Sequence, residues 1–184
     1  FKKVFISCPH RFGKSLLAFT LRIIFESGIR YFSDLAIGNN WTDRTYLVVQ
    51  IDFSLLSNKK TIECFRVIFN RSITSAFSPL GFKFDPTNTS IRFIDQLKSW
   101  LSTLEPNTIV LLIDDYDVPL TTYLDDAELF AQVSSVMSEF YAAIKEYEGC
   151  LRFLFITGET RIGFAGIFGG FNILEDITFD PDYG

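Results

Sequence analysis

The run Thr108-Ile109-Val110-Leu111-Leu112-Ile113 limits the fold more than any other stretch of this chain. It is continuous, apolar and rich in β-branched side chains, with Glu105-Pro106-Asn107 before it and Asp114-Asp115-Tyr116-Asp117 after it. A strand of that kind is apolar on both faces and therefore has to be covered on both, as a central strand of a parallel sheet is. Its carboxyl end carries carboxylates, and in an open α/β sheet that edge is where ligands sit.

Three further segments read as strands: Lys3-Val4-Phe5-Ile6-Ser7, Tyr46-Leu47-Val48-Val49-Gln50-Ile51-Asp52-Phe53, and Leu151-Arg152-Phe153-Leu154-Phe155-Ile156-Thr157. Helical apolar spacing separates them. Leu16, Leu17, Leu21, Ile24 and Phe25 predict a helix over 14–26, with Gly28 as its stop. Similar faces predict helices over 62–76 and 91–104, capped by Asn58 or Thr61 and by Ser90. Asp125 and Asp126 open a long helix reaching about Tyr147, and the Gly- and Phe-rich stretch 163–177 reads as a loop with one short helical piece. Alternating strands and helices imply right-handed crossovers and a three-layer α/β fold with a mainly parallel sheet.

The first strand runs into Arg11-Phe12-Gly13-Lys14-Ser15-Leu16-Leu17. Strand, tight loop, Gly-Lys-Ser and helix form the context of a phosphate-binding loop. Loop and helix-terminal N–H groups converge there, Lys14 reaches toward β- and γ-phosphates, and the Ser15 hydroxyl is a Mg²⁺ ligand. The glycine that usually opens this pattern is Cys8 here. Asp114 is the matching Mg²⁺ carboxylate, acting mostly through water. Each part has a plainer explanation: a chance triplet, a solvated loop, a helix cap. Their order and their placement on the right elements favour a nucleotide site.

Hydrolysis also needs a group that orients water near the γ-phosphate. Many ATPases place Glu directly after the Mg²⁺ acid, and this chain has Asp115. Asp is one methylene shorter, and a shift of about 1 Å can lower a rate on the order of 100-fold. Asp117 and Glu159 are alternative acids. Thr157 could orient water or read the γ-phosphate, or simply be satisfied by backbone. Arg161 could counter developing charge or form a surface salt bridge. Asp52 is explained at least as well by turn duty.

Bulk properties set limits. A length of 184 residues with 48% hydrophobic side chains suits one domain, 1–184, with a substantial core. The chain starts at Phe1 and stops at Gly184 in a way that reads as a piece of a longer protein. A net charge of −5 argues against a broad nucleic-acid surface, although Lys2, Lys3, Arg11 and Lys14 gather near the loop. No apolar stretch reaches the roughly 20 residues of a membrane span, and no signal-peptide pattern is present. Cys8, Cys64 and Cys150 lack disulfide or zinc spacing, which points to a reducing, cytoplasmic setting. His10, the single histidine, lies in the loop, where it could contact phosphate but is more often an ordinary polar residue, and it carries no assignment.

Pro9 with RFGKSLL (11–17), IDFS (51–54), LIDDYDVPL (112–120), FYAAIK (140–145), RFLFITG (152–158) with Arg161, and IFGGFNILEDIT (167–178) follow one another along nearly the whole chain. In these stretches it resembles the predicted AAA-ATPase-like domain of many bacterial proteins, commonly followed by a restriction-endonuclease-like nuclease domain. The resemblance implies a P-loop NTPase fold of the additional-strand (AAA/STAND-like) type, truncated at its C-terminus, with the sensor strand between the loop strand and the Asp114 strand. It implies ATP and Mg²⁺ as ligands and a nuclease-like C-terminal effector domain as partner. Lys14, Ser15, Asp114 and Asp115 fall on its nucleotide and Mg²⁺ motifs, and Thr157 and Arg161 on its sensor-like stretch. The candidate site is then Arg11, Phe12, Gly13, Lys14, Ser15 and Leu16 for the nucleotide, Ser15 and Asp114 for the metal, and Asp115, Thr157 and Arg161 for catalysis. The family's loop arginines are Cys8 and His10 here, its Asp-Glu pair is Asp114-Asp115, and its second tail Asn is Ile173. The expectation is an ATP-binding regulatory module with weak hydrolysis. The competing expectations are a pseudo-ATPase interaction switch, a P-loop kinase (which would want an arginine-rich lid), and a non-enzymatic scaffold.

Overall fold

A computed structural model describes residues 2–57, 60–168 and 174–181. In chain order the elements are β1 (Lys2–Ser7), α1 (Lys14–Ser27), α2 (Ala36–Asn40), β2 (Leu47–Asp52), α3 (Ile62–Phe77), α4 (Phe93–Leu101) and β3 (Ile109–Asp114). They continue with α5 (Val118–Thr121), α6 (Ala127–Glu146), β4 (Leu151–Gly158), α7 (Phe164–Phe168) and β5 (Glu175–Asp176). The five strands form one parallel sheet in the order β2-β3-β4-β1-β5. β4 lies between β1 and β3, the place the family resemblance implies for the sensor strand.

Every residue of β3 is buried, and its side chains divide by alternation. Ile109, Leu111 and Ile113 join the larger core with Phe53, Phe65, Phe69, Phe140 and Ile144, which brings α3 and α6 onto one face. Val110 and Leu112 join Val4, Ala18, Phe25 and Phe155 under α1 on the other. The uninterrupted apolar run is thus explained by two cores meeting at one strand. Phe53 stacks on Phe69 at 5.7 Å, and Phe140 meets Phe69 edge-on at the same spacing. Such pairs add specific geometry to the burial term.

Most helix boundaries follow their local signals. Gly28 ends α1 at φ 67°, where a side chain would be strained, and its N–H donates to Ile24 O. Thr61 caps α3 by accepting from Cys64 N at 3.3 Å, whereas Asn58 lies outside the described residues. Asp126 caps α6 through Leu129 N at 3.0 Å.

α4 is the exception: it starts later and ends earlier than its periodicity predicts, and Ser90 does not cap it. Gln96 binds the chain ahead of the helix instead, accepting from Asp85 N at 2.9 Å and donating to Asp85 O and Ile91 O. Arg92 is tied to Asp95 within the first turn. The short elements α2, α5 and β5 were not expected, because so few residues show no period.

Strand register fixes the working edge. Ser7 pairs with Gly158, Asp52 with Asp114, and Ile113 with Ile156. The polar carboxyl ends of β1, β2, β3 and β4 therefore share one edge of the sheet.

Candidate functional site

Residues 8–13 carry the chain from β1 to α1. Cys8 N donates to Gly158 O at 3.1 Å, anchoring the loop to the end of β4. Arg11 (φ 68°) and Gly13 (φ 79°) are both left-handed. A Cβ on Gly13 would meet nothing within 4 Å, so backbone conformation rather than space requires glycine there. Arg11 holds its conformation at some strain. α1 then opens with no acid in its first turn. Its free N–H groups and positive dipole end stay available to an anion. Ser15 is exposed at that end, as are Arg11, Phe12 and Leu16, which offer their surface outward rather than to the core.

Lys14 is turned inward and only 7% exposed. Its Nζ donates to Cys8 O at 3.0 Å and Pro9 O at 3.2 Å, and lies 3.5 Å from Glu159 Oε1. The same glutamate oxygen is 2.6 Å from His10 Nδ1. That contact, aided by the Lys14 charge, holds the Glu159 carboxyl below the usual carboxylate range against the opposing effect of burial.

Asp114 is buried at the end of β3 and accepts a hydrogen bond from the Thr157 hydroxyl. Thr157 Oγ1 in turn accepts from Asp115 N at 3.2 Å. The two acids and the Thr157 hydroxyl of β4 therefore form one connected unit. Asp115 takes φ 52°, a left-handed conformation that Asp adopts more readily than most residues but still uncommonly. Its Oδ1 is buried without a hydrogen-bond partner among the described residues. Burial, followed by the charge of Asp114, pushes its carboxyl up to about 6, with Lys14 pulling the other way. A buried acceptor left open beside a lysine fits a ligand that brings a donor or a cation.

The turn after β3 also organises the segment after β4. Asp117, 1% exposed, accepts from Glu159 N at 3.1 Å, Thr160 N at 2.6 Å and Thr160 Oγ1 at 2.7 Å. Tyr116 OH donates to Thr160 O and Ile162 O at 3.1 and 3.2 Å. Asp117, one of the alternative water-orienting acids, has its carboxylate filled by these donors. Its bracing role could not be read from sequence, because nothing local distinguishes a solvated acid from one that holds a distant loop.

Asp52 serves its turn, accepting from Ser54 N at 2.8 Å. Arg161 pairs with Asp176 of β5 at 2.6 Å and lies over the Phe179 ring, so its guanidinium is committed to the edge strand. Lys14, Asp114, Asp115 and Thr157 are brought together, and Ser15 stands at the helix end beside Lys14.

The donor set suits a polyphosphate with Mg²⁺. It offers N–H groups at a helix end, a buried ammonium, and hard oxygen ligands from a hydroxyl and a carboxylate. No three His, Cys, Asp or Glu side chains converge as a protein-only metal cage among the described residues. Phosphate oxygens and water would complete such a site, as Mg²⁺ prefers.

The family described as "Predicted AAA-ATPase" (AAA-ATPase-like) matches residues 1–168. A protein of Azotobacter chroococcum mcd 1, described as "Uncharacterized protein in vnfD 5'region", is 26% identical over 182 residues. That match covers 97% of this chain and 34% of the relative, so the chain spans about a third of that protein's length. No solved structure matches the chain.

Proposed function

The chain belongs to the AAA-ATPase-like family of predicted AAA-ATPases, and from that premise we propose that it is an ATP-binding module with weak hydrolytic activity that regulates an effector domain of a longer protein. The observation that carries this reading is Lys14. It is an ammonium buried at a strand–loop–helix junction, whose charge reaches an Asp115 carboxylate with an unpaired buried oxygen. Its anionic partner, Glu159, is partly exposed and no nearer than 3.5 Å, so a phosphate oxygen could take its place on the buried ammonium.

In this reading Lys14 and the N–H groups of residues 11–16 hold the phosphates, with Ser15 and Asp114 on Mg²⁺. The ion, when bound, would neutralise phosphate charge. Thr157 fixes the Asp114 carboxylate by donating to it. Asp115 is the water-orienting acid. A carboxyl that titrates near 6 is about 90% ionised at pH 7, yet basic enough to accept a proton. Arg161 would first have to leave Asp176 to face the developing charge.

Three unpaired cysteines accord with a reducing, cytoplasmic setting. Among the described residues no helix is long and apolar enough to cross a membrane. The net charge of −5 disfavours a nucleic-acid surface on this segment. The effector is inferred from the greater length of the relative and from the nuclease-like domain that commonly follows the family's domain.

A second reading, a pseudo-ATPase that switches on binding alone, is favoured by the short Asp115 and its left-handed backbone. Measuring Mg-ATP affinity and phosphate release, with Lys14→Ala as control, separates the two. We expect Lys14→Ala to weaken binding at least about tenfold, the scale of a lost charge-assisted contact. Binding without turnover would favour the switch, and binding indifferent to Lys14 would sink both. Asp115→Glu should raise turnover if the shorter acid limits it. An unchanged or lower rate would show that the limitation lies elsewhere, or that Asp115 is not the water-orienting acid.

A further inference from the structure

Glu159 has no part in the reading above, yet among the described residues its carboxylate is the one in ion-pair contact with Lys14. An ammonium has three N–H donors. Those of Lys14 have three acceptors at hand: Cys8 O at 3.0 Å, Pro9 O at 3.2 Å and Glu159 Oε1 at 3.5 Å. The first two belong to the loop that would wrap phosphates. The third is an anionic oxygen, of the same hydrogen-bonding kind as a phosphoryl oxygen.

Glu159 is set there from both sides. Its backbone N–H is held by both oxygens of buried Asp117 at 3.1 Å. His10 Nδ1 lies 2.6 Å from the oxygen that faces Lys14. Tyr116 OH fixes the following carbonyl, Thr160 O. A polyphosphate reaching Lys14 Nζ meets a carboxylate already in place, and two anions cannot share that N–H without repulsion.

We infer that Glu159 is an affinity-setting residue of the nucleotide site, a carboxylate that competes with a phosphoryl oxygen for Lys14 and is held in that position by His10. This rests on Lys14 being the phosphate-binding lysine. Asp117 and Tyr116 are its positioning residues, and they act through the backbone of 159–160. The Glu159 side chain is solvent-accessible, so it has somewhere to go when displaced. The contact thus sets how much of the lysine's binding free energy reaches the ligand.

The test is a double-mutant cycle read by calorimetry with Mg-ATP and, separately, tripolyphosphate. Variants are Glu159→Gln, His10→Ala, Lys14→Ala and the Lys14→Ala/Glu159→Gln pair, each checked for an unchanged melting curve. Glu159→Gln should tighten both ligands about tenfold, and His10→Ala should tighten them by a smaller factor of about two to three. In the Lys14→Ala background the gain from Glu159→Gln should vanish, which a merely structural role would not produce. Unchanged or weakened binding in Glu159→Gln would overturn the inference, as would a gain that persists without Lys14. A lower turnover at unchanged affinity would instead make Glu159 a water-orienting acid and equally overturn it. If wild type binds through Lys14 and Glu159→Gln gains nothing, only this inference falls. If neither wild type nor Glu159→Gln shows Lys14-dependent binding, the nucleotide reading falls with it.

Discussion

Asp115 combines a left-handed backbone at φ 52°, a buried oxygen without a partner among the described residues, and a carboxyl raised to about 6. Burial, and then the charge of Asp114 beside it, raises that carboxyl. Its pKa rises from an ordinary 3.8, so the folded chain holds a proton that the unfolded chain has lost between those values. Stability from this group is complete below pH 4 and declines as pH rises through about 6. Asp115→Asn removes the charge and keeps a side chain that tolerates the left-handed region. It should stabilise the fold at pH 8 by about 1 kcal/mol, a figure reduced for partial exposure, and the difference should fade toward pH 4. Urea unfolding of both proteins across that range checks the sign, and a gap that widens on acidification would refute it. Nothing in Asp-Asp-Tyr-Asp announces this backbone conformation, because it depends on where β4 lies.

Helices and strands were legible wherever one local rule sufficed. The two-sided burial of β3 follows from its unbroken apolar run, and α6 starts at Asp126 because an acid there can take Leu129 N. Asp126→Ala should cost about 1 kcal/mol, seen as a lower melting temperature with the fold unchanged. An equal loss in Asp125→Ala would show that the cap has been misassigned. α4 failed the same rule. Gln96 reaches back to Asp85 and Ile91 and fixes the entry of the helix without a cap, a tie between residues eleven apart that periodicity does not register. β5 is two residues pairing with Val4 and Phe5, and only a neighbour's free edge makes them a strand.

The strand ends at the working edge act as one unit. Gly158 ends β4 against the turn that follows β3. A Cβ added there would lie 2.6 Å from Tyr116 Cε1 and 2.9 Å from Asp117 Oδ1. Gly158→Ala should therefore push that turn away from the loop it braces, destabilising the fold by about 1–3 kcal/mol. It should also weaken Mg-ATP, because Cys8 N hangs on Gly158 O and Lys14 on Cys8 O. Destabilisation with full nucleotide affinity would show that the loop is not set by this contact.

The layered α/β fold, and the placing of Gly13-Lys14-Ser15 after β1 and of Asp114 at the end of β3, were already determined by the sequence. Apolar period, strand-end acids and loop glycine act over a few residues, and the chain states them directly. Which acids are spent and which remain open was decided only in three dimensions. Asp117 is filled by the segment after β4, Arg161 by Asp176, and Glu159 is laid against Lys14. Those outcomes depend on the order β3-β4-β1-β5, which for Lys14 and Glu159 brings residues more than a hundred positions apart within hydrogen-bonding distance. A hydrogen bond's strength falls off within an ångström or so. Its partners are therefore set by strand order and register, which no local pattern encodes.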